Sequence, residues 1–131
     1  MMTMTVGLEN PAGTISKSGR SSTGSLTEAE LISAVTVPAG DRHDLTDFKF
    51  AIAKGAAGTL FRLYGRAASA DAWTQVDDFE IGDYGIFSET KGISHKFLPG
   101  AQWRMTVIQT TIARVACRVG GISKTTDVKD Y

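Results

Sequence analysis

The sequence predicts an all-β fold, an antiparallel β-sandwich with jelly-roll connectivity favoured over an up-and-down barrel. Apolar and polar residues alternate in several short stretches, most clearly at residues 48–52 (FKFAI) and 103–107 (WRMTV). Glycine and proline separate these stretches at intervals of about 8 to 12 residues. No stretch longer than a turn has apolar residues at helical spacing, which argues against βαβ units. Long connections near residues 38–44 and 66–72 suit a jelly roll.

The 131 residues fit one domain of ordinary size. Residues 1–25 are rich in glycine, serine and threonine and show no strand or helix periodicity, so they are predicted to form an extended N-terminal arm, either loose or laid on a partner subunit. Removing this arm is expected to leave the domain folded. The sandwich domain is assigned to residues 26–123, and residues 124–131 to a polar C-terminal tail.

Strands follow one another through the domain. The predicted strand segments, in order, are residues 32–37, 48–53 and 60–65, short segments at Trp73 and 79–81, and then 103–107 and 114–119. Residues 41–44 (DRHD) are interpreted as a polar loop with a solvated His43, and residues 55–58 (GAAG) as the turn of a hairpin. Residues 86–96 give no clear pattern, because Gly92 divides two short runs.

The last two predicted strands, within residues 97–119, are expected to be adjacent in the sheet. Their alternation defines one inward set, which is predicted to be core: Trp103, Met105, Val107, Val115, Cys117 and Val119. Their outward set carries Arg104, Arg114 and Arg118, which would form one basic stripe on an antiparallel sheet. The competing interpretation is a solvated face balanced by nearby carboxylates.

The net charge, the N-terminal residues and the length of the apolar runs restrict the class of function. Lys plus Arg and Asp plus Glu each number 14, so no net positive charge draws the chain to nucleic acid or to an anionic membrane. Residues 1–13 lack the pattern of a secretory signal, and no apolar run is long enough to suggest a transmembrane helix. The protein is therefore expected to be made in the cytoplasm and to bind neither nucleic acid nor membrane.

No arrangement of residues indicates catalysis, a cofactor or a metal. His43 and His95 are the only imidazoles, and neither stands at metal-ligand spacing from other ligands. The segment 19–25 (GRSSTGS) has the glycine spacing of a phosphate loop but serine where lysine is required. Carboxylates at residues 77–83 interleave with apolar residues as on a strand edge. Cys117, the single cysteine, is predicted to be a buried, inert thiol.

Two groups of residues are candidates for binding. Lys17 and Arg20 on the arm, together with Arg104, Arg114 and Arg118, are predicted to contact acidic groups of a protein partner. Trp73 follows a loop of small residues and is the aromatic side chain expected to be exposed, where it would stack on a sugar in a glycan-binding protein.

Five segments resemble the small jelly-roll decoration, or cement, proteins on the heads of tailed phages. They are residues 35–40 (VTVPAG), 45–52, 59–65 (TLFRLYG), 97–100 (FLPG) and 114–121 (RVACRVGG). The resemblance covers roughly residues 31–123 and implies a non-enzymatic virion protein without cofactors, assembled in the host cytoplasm. It also implies binding to the major capsid protein and to copies of itself, as a homotrimer or homodimer, on the outer capsid surface. The alternative is a glycan- or receptor-binding sandwich of a phage tail or secreted protein, and an enzyme ranks third.

Overall fold

The residues that the structure describes form eight β-strands. The computed structural model describes residues 10–53, 58–81 and 87–125 of the chain. The strands are β1 (Asn10–Ser21), β2 (Ala29–Thr36), β3 (Asp41–Ile52), β4 (Thr59–Arg66), β5 (Thr74–Ile81), β6 (Phe87–Phe97), β7 (Gln102–Ile108) and β8 (Val115–Thr125). Residues 55–57 of the predicted hairpin turn and residues 82–83 of the acidic segment lie outside the described residues. The predicted hairpin itself was wrong, because β3 pairs with β6 and β8 whereas β4 pairs with β5 and β7 in the other sheet.

The strands form two four-stranded antiparallel sheets that pack face to face. The first sheet has the order β1-β8-β3-β6 and the second the order β2-β7-β4-β5. Apart from β4 and β5, consecutive strands lie in different sheets, so the chain crosses between layers at nearly every connection. This order is that of an eight-stranded jelly roll, and it confirms the predicted fold class.

The predicted N-terminal arm needs correction from residue 10 onward. Residues 10–21 form β1, which pairs along its length with β8 at the edge of the first sheet, from Asn10 opposite Thr125 to Ser21 opposite Val115. The sequence pattern missed this strand because the positions that face the second sheet are mostly glycine, lysine and serine. Among the β1 side chains that the structure describes, at residues 13–21, Ile15 is the buried apolar one.

Three further boundaries differ from the sequence interpretation. Residues 41–44, predicted to be a loop, begin β3, and residues 87–97, which gave no clear pattern, form β6. β8 continues to Thr125, so two residues of the predicted tail belong to the sandwich. Residues 1–9 of the arm and 126–131 of the tail lie outside the described residues.

One hydrophobic core fills the space between the sheets. Phe48 lies at its centre, with ring centroids 4.4 Å from Phe79 and 5.1 Å from Phe61. The six side chains predicted to be core from residues 103–119 are all buried, which confirms the period-2 assignment in both strands. Cys117 is among them, and burial raises the pKa of its thiol to about 12.

A hydrogen bond between two buried side chains anchors one end of this core. The indole Nε1–H of Trp103 donates to Nδ1 of His43 over 3.1 Å, and the two rings meet edge to face. His43 is only 6% exposed, so the prediction of a solvated histidine was wrong. The bond requires the neutral imidazole, because Nδ1 must keep its lone pair to accept.

Acid should therefore weaken the fold through His43. Burial lowers the pKa of His43 below its ordinary value, with Asp41 and Asp44 opposing and Lys17 adding to the shift. As the pH falls below about 6.5, His43 binds a proton in the unfolded chain but remains neutral in the folded chain. The free energy of unfolding, measured by urea denaturation, should consequently fall between pH 7 and pH 5.5.

The second imidazole provides the control for this measurement. In His95→Gln, where His43 is the remaining histidine, the fall should persist, whereas in His43→Asn it should shrink, because the amide oxygen can accept from Trp103 without titrating. An unchanged pH dependence in His43→Asn would contradict the assignment.

The described residues contain no helix that is long and apolar enough to cross a membrane.

Candidate protein-binding surface

The outer face of the first sheet carries a shallow depression. Ala51 on β3 lies directly opposite Ala116 on β8, and Ala116 in turn lies opposite Arg20 on β1. The two alanines form the floor because their methyl groups are much shorter than the side chains around them. Four cations border this floor, and we call the whole the basic depression: Arg20, Lys49, Arg114 and Arg118 around Ala51 and Ala116.

Cations outnumber carboxylates on this face of the described chain. The outward or bordering charged residues are Arg20, Arg42, Lys49, Lys96, Arg114, Arg118 and Lys124 against Asp44 and Asp47. Asp44 is shared between Arg42, at 2.8 Å, and Lys124, at 3.4 Å. Asp47 accepts from Arg118 at 3.3 Å. Both carboxylates are thus already ion-paired with cations of the same face.

The cations of the basic depression itself are mostly unpaired. Within the described part of the chain Arg20, Lys49 and Arg114 make no ion pair, and all three are exposed. Arg118 is tied to Asp47 and also donates to the Ser16 hydroxyl at 3.3 Å. An apolar floor with unpaired cations at its rim offers both contact area and charge to an acidic protein surface.

The outer face of the second sheet differs because Arg62 and Arg104 are each paired with a carboxylate. Glu28 lies 3.5 Å from Arg62 and accepts hydrogen bonds from the hydroxyls of Tyr64 and Thr106. These hydrogen bonds, first that of Tyr64, hold the pKa of Glu28 below its usual value. Arg104 pairs with Glu30 at 3.2 Å. Asp78 and Glu80 also lie on this outer face, are exposed and make no ion pair with the described residues, so the charge left on it is negative.

Trp73 belongs to this second face. The Cζ atom of Arg66 lies 4.0 Å from the centroid of the indole ring and that of Arg104 lies 4.6 Å from it. These are cation–π contacts, and they leave Trp73 only half-buried. A sugar stacking on the ring would have to compete with the two guanidinium groups.

The structure separates the five predicted partner-binding residues. Arg20, Arg114 and Arg118 come together at the basic depression, and Arg118 and Arg20 lie on the paired strands β8 and β1. Arg104 lies on β7 in the other sheet and faces the opposite side of the molecule, so the single basic stripe was wrong. Lys17 lies in the row of Val119 and Phe48, both buried, and therefore on the side of β1 that faces the second sheet.

The error over Arg104 has a simple cause. Period-2 alternation gives the face of a strand on which a residue lies, but it does not give the sheet to which the strand belongs. β7 and β8 are consecutive in the chain and were expected to pair. Instead β8 pairs with β1 and β3, and β7 with β2 and β4.

Lys49 and the two alanines were not among the predicted site residues. The alternation at residues 48–52 already placed Lys49 and Ala51 outward, so the signal was present for them individually. What the sequence lacked was the register that sets Ala51 opposite Ala116. Among the described residues no cluster of three or more His, Cys, Asp or Glu could hold a metal ion.

Comparisons with known proteins agree with the fold and add no family. No protein-family model matches the sequence, and no curated protein matches it. Among solved structures, the chain is similar to one from the disulfide-linked pili formed by Bacillus endospore appendages. That match has a TM-score of 0.52 and 13% identity, and covers 95% of this chain and 96% of the other. The likeness therefore concerns the β-sandwich architecture.

Proposed function

We propose that this chain is a non-enzymatic structural protein of a virion, which binds the outer surface of the capsid and stabilises the shell. The observation that carries the proposal is the basic depression, where Arg20, Lys49 and Arg114 stand unpaired around an apolar floor. Such a surface fits an acidic patch of the major capsid protein. The protein would assemble in the host cytoplasm and remain on the capsid.

The architecture supports an adhesive role. A two-layer sandwich closed around one core is a rigid body that can hold a surface in place without moving parts. Because the whole chain has no net charge, attraction to a partner depends on the local excess at the basic depression. The partner is then an acidic protein surface of matching shape, in preference to nucleic acid or an anionic membrane.

The similar pilus chain comes from an assembly of many subunits, and this supports self-association as part of the same role. Its pili are described as disulfide-linked. In the chain described here the single cysteine, Cys117, is buried between the sheets and holds its proton firmly. Copies of this chain, as a homodimer or homotrimer, would consequently associate through non-covalent contacts.

Cosedimentation with capsids tests the proposal. The purified chain should pellet with empty shells of the major capsid protein encoded in the same genome, and stay in the supernatant without them. Because exposed cations contribute, binding should weaken as NaCl rises from 50 to 500 mM. No enrichment with the shells at either salt concentration would contradict the proposal, and specific glycan binding lost in Trp73→Ala would favour the glycan-binding alternative.

A further inference from the structure

An open cleft runs along one edge of the sandwich, between β1 of the first sheet and β2 of the second. At one point the two strands touch: a Cβ atom on Gly19 would lie 1.8 Å from the backbone oxygen of Leu31. Beyond this contact the strands separate and leave a cleft of about 410 Å³. Lys17, Val35 and His43 are among the residues that line it. A volume of this size admits a side chain or a small organic ion.

Lys17 is the cation of this cleft. Its register on β1 directs it to the interior side, next to Ile15, which is buried two residues earlier. At an edge strand such a side chain reaches the cleft while its ammonium group remains in contact with water. Lys17 makes no ion pair with the residues that the structure describes, so its charge is available to a ligand.

His43 supplies a second donor to the cleft. Since Nδ1 accepts from Trp103, the proton of the neutral ring lies on Nε2. The side chain is 6% exposed and lines the cleft, yet Nε2–H has no acceptor among the described residues. Nε2 is not one of the fully enclosed atoms of the described residues, so water in the open cleft can reach this N–H. A ligand that accepts its hydrogen bond would take the place of that water.

The residues beside His43 leave room for such a ligand. Ser123 on β8 lies opposite both His43 and Gly13, and its hydroxyl can donate as well. A Cβ atom on Gly13 would meet nothing within 4 Å, so the outermost strand does not cover the site. The cleft thus combines one ammonium group, one imidazole N–H and a hydroxyl beneath an open side.

The charges around His43 select the ligand. Lys17, Asp41 and Asp44 all lie close enough to act on the imidazole, and Asp44 is already neutralised by Arg42 and Lys124. This leaves the cation of Lys17 and the carboxylate of Asp41 near the ligand. One positive and one negative charge suit a singly charged anion better than a doubly charged phosphate. A planar carboxylate also has two oxygens that can accept from two donors at once.

We infer that the edge cleft is a carboxylate-binding site, in which the Lys17 ammonium group and His43 Nε2–H hold the two carboxylate oxygens. The carboxylate is either a free small acid or an acidic side chain of a protein. This site is separate from the basic depression, because Lys17 lies on the opposite face of the first sheet from Arg20. It does not depend on the proposed capsid function.

Titration followed by NMR tests this inference on the full chain. Sodium acetate, added at constant ionic strength against NaCl, should shift the Trp103 indole N–H and Ser123 amide signals saturably at millimolar concentrations. Lys17→Met should weaken acetate binding at least fivefold. Lys96→Met, which removes the same charge from the outer face of the same sheet and does not border the basic depression, should leave acetate binding unchanged. A capped glutamate peptide that binds more tightly than acetate would identify a protein carboxylate as the ligand, and the reverse order a free acid.

Several results would overturn the assignment. Shifts that do not saturate, that chloride reproduces, or that persist with the same affinity in Lys17→Met would remove the site. Tighter binding of inorganic phosphate than of acetate at pH 7.5 would show that the cleft does not select a singly charged carboxylate. Thermal melting of each variant ensures that a lost response is not lost folding.

Discussion

A chain that lacks residues 1–25 should not fold to a cooperative domain. The deletion removes β1, which supplies Ile15 to the core and pairs with β8 along its whole length. β8 would become an edge strand with a row of unpaired N–H and C=O groups, and Val119 and Cys117 would lose their cover. Domain stability is only about 5–15 kcal/mol, so the loss of one strand of eight is enough to abolish it. Circular dichroism should show no sharp thermal transition.

A shorter deletion gives the control. Removing residues 1–9 stops short of Asn10 and retains the complete β1–β8 pairing, so this chain should melt cooperatively near the temperature of the full chain. If the chain without residues 1–25 melts as the full chain does, β1 is dispensable to the sandwich and the original interpretation of an independent arm is restored.

Arg114→Glu should weaken binding to an acidic protein partner about tenfold or more. Arg114 borders the basic depression, is exposed and makes no ion pair with the described residues, so reversing its charge replaces attraction by repulsion at the rim. A tenfold change corresponds to about 1.4 kcal/mol. Stability should hardly change, because the Arg114 side chain is exposed and the substitution keeps the backbone oxygen that accepts from the N–H of Ala53. Cosedimentation with capsid shells at several protein concentrations measures the effect.

Lys96→Glu is the matched control for this substitution. Lys96 also faces outward from the first sheet, opposite Asp44 on β3, but it does not border the basic depression. Both substitutions change the net charge by the same amount. Equal weakening by the two would mean that overall charge governs binding and that the basic depression is not the contact surface.

Much of the sandwich follows from alternation alone. The run from Phe48 to Ile52 and the core positions from Trp103 to Val119 have the burial that their period-2 pattern predicts. Each of these strands buries one face, and burial requires apolar residues at alternate positions of the sequence. The lack of helical periodicity also excluded α/β folds, and connection lengths favoured the jelly roll that the strand order confirms.

Sequence reasoning missed the parts of the fold in which interior-facing positions are occupied by glycine or polar residues. β1 lies at an edge where Gly19 permits backbone contact with Leu31 and Lys17 faces an open cleft, so it has no hydrophobic alternation. His43 looked solvated between Arg42 and Asp44, yet an indole 60 residues later along the chain satisfies its nitrogen. The basic depression depends on pairing between strands that are far apart in the sequence. Such features depend on tertiary register, which local patterns do not contain.

The position of Cys117 makes the molecule its own reporter of opening. This thiol is the only one in the chain, lies on β8 directly opposite Gly19 of β1, and is 4% exposed. A thiol reagent can modify it only when β1 detaches or the sheets part, so the labelling rate in native buffer counts these excursions. The labelling rate of this one thiol would thus report how often β1 detaches from β8, without any engineered probe.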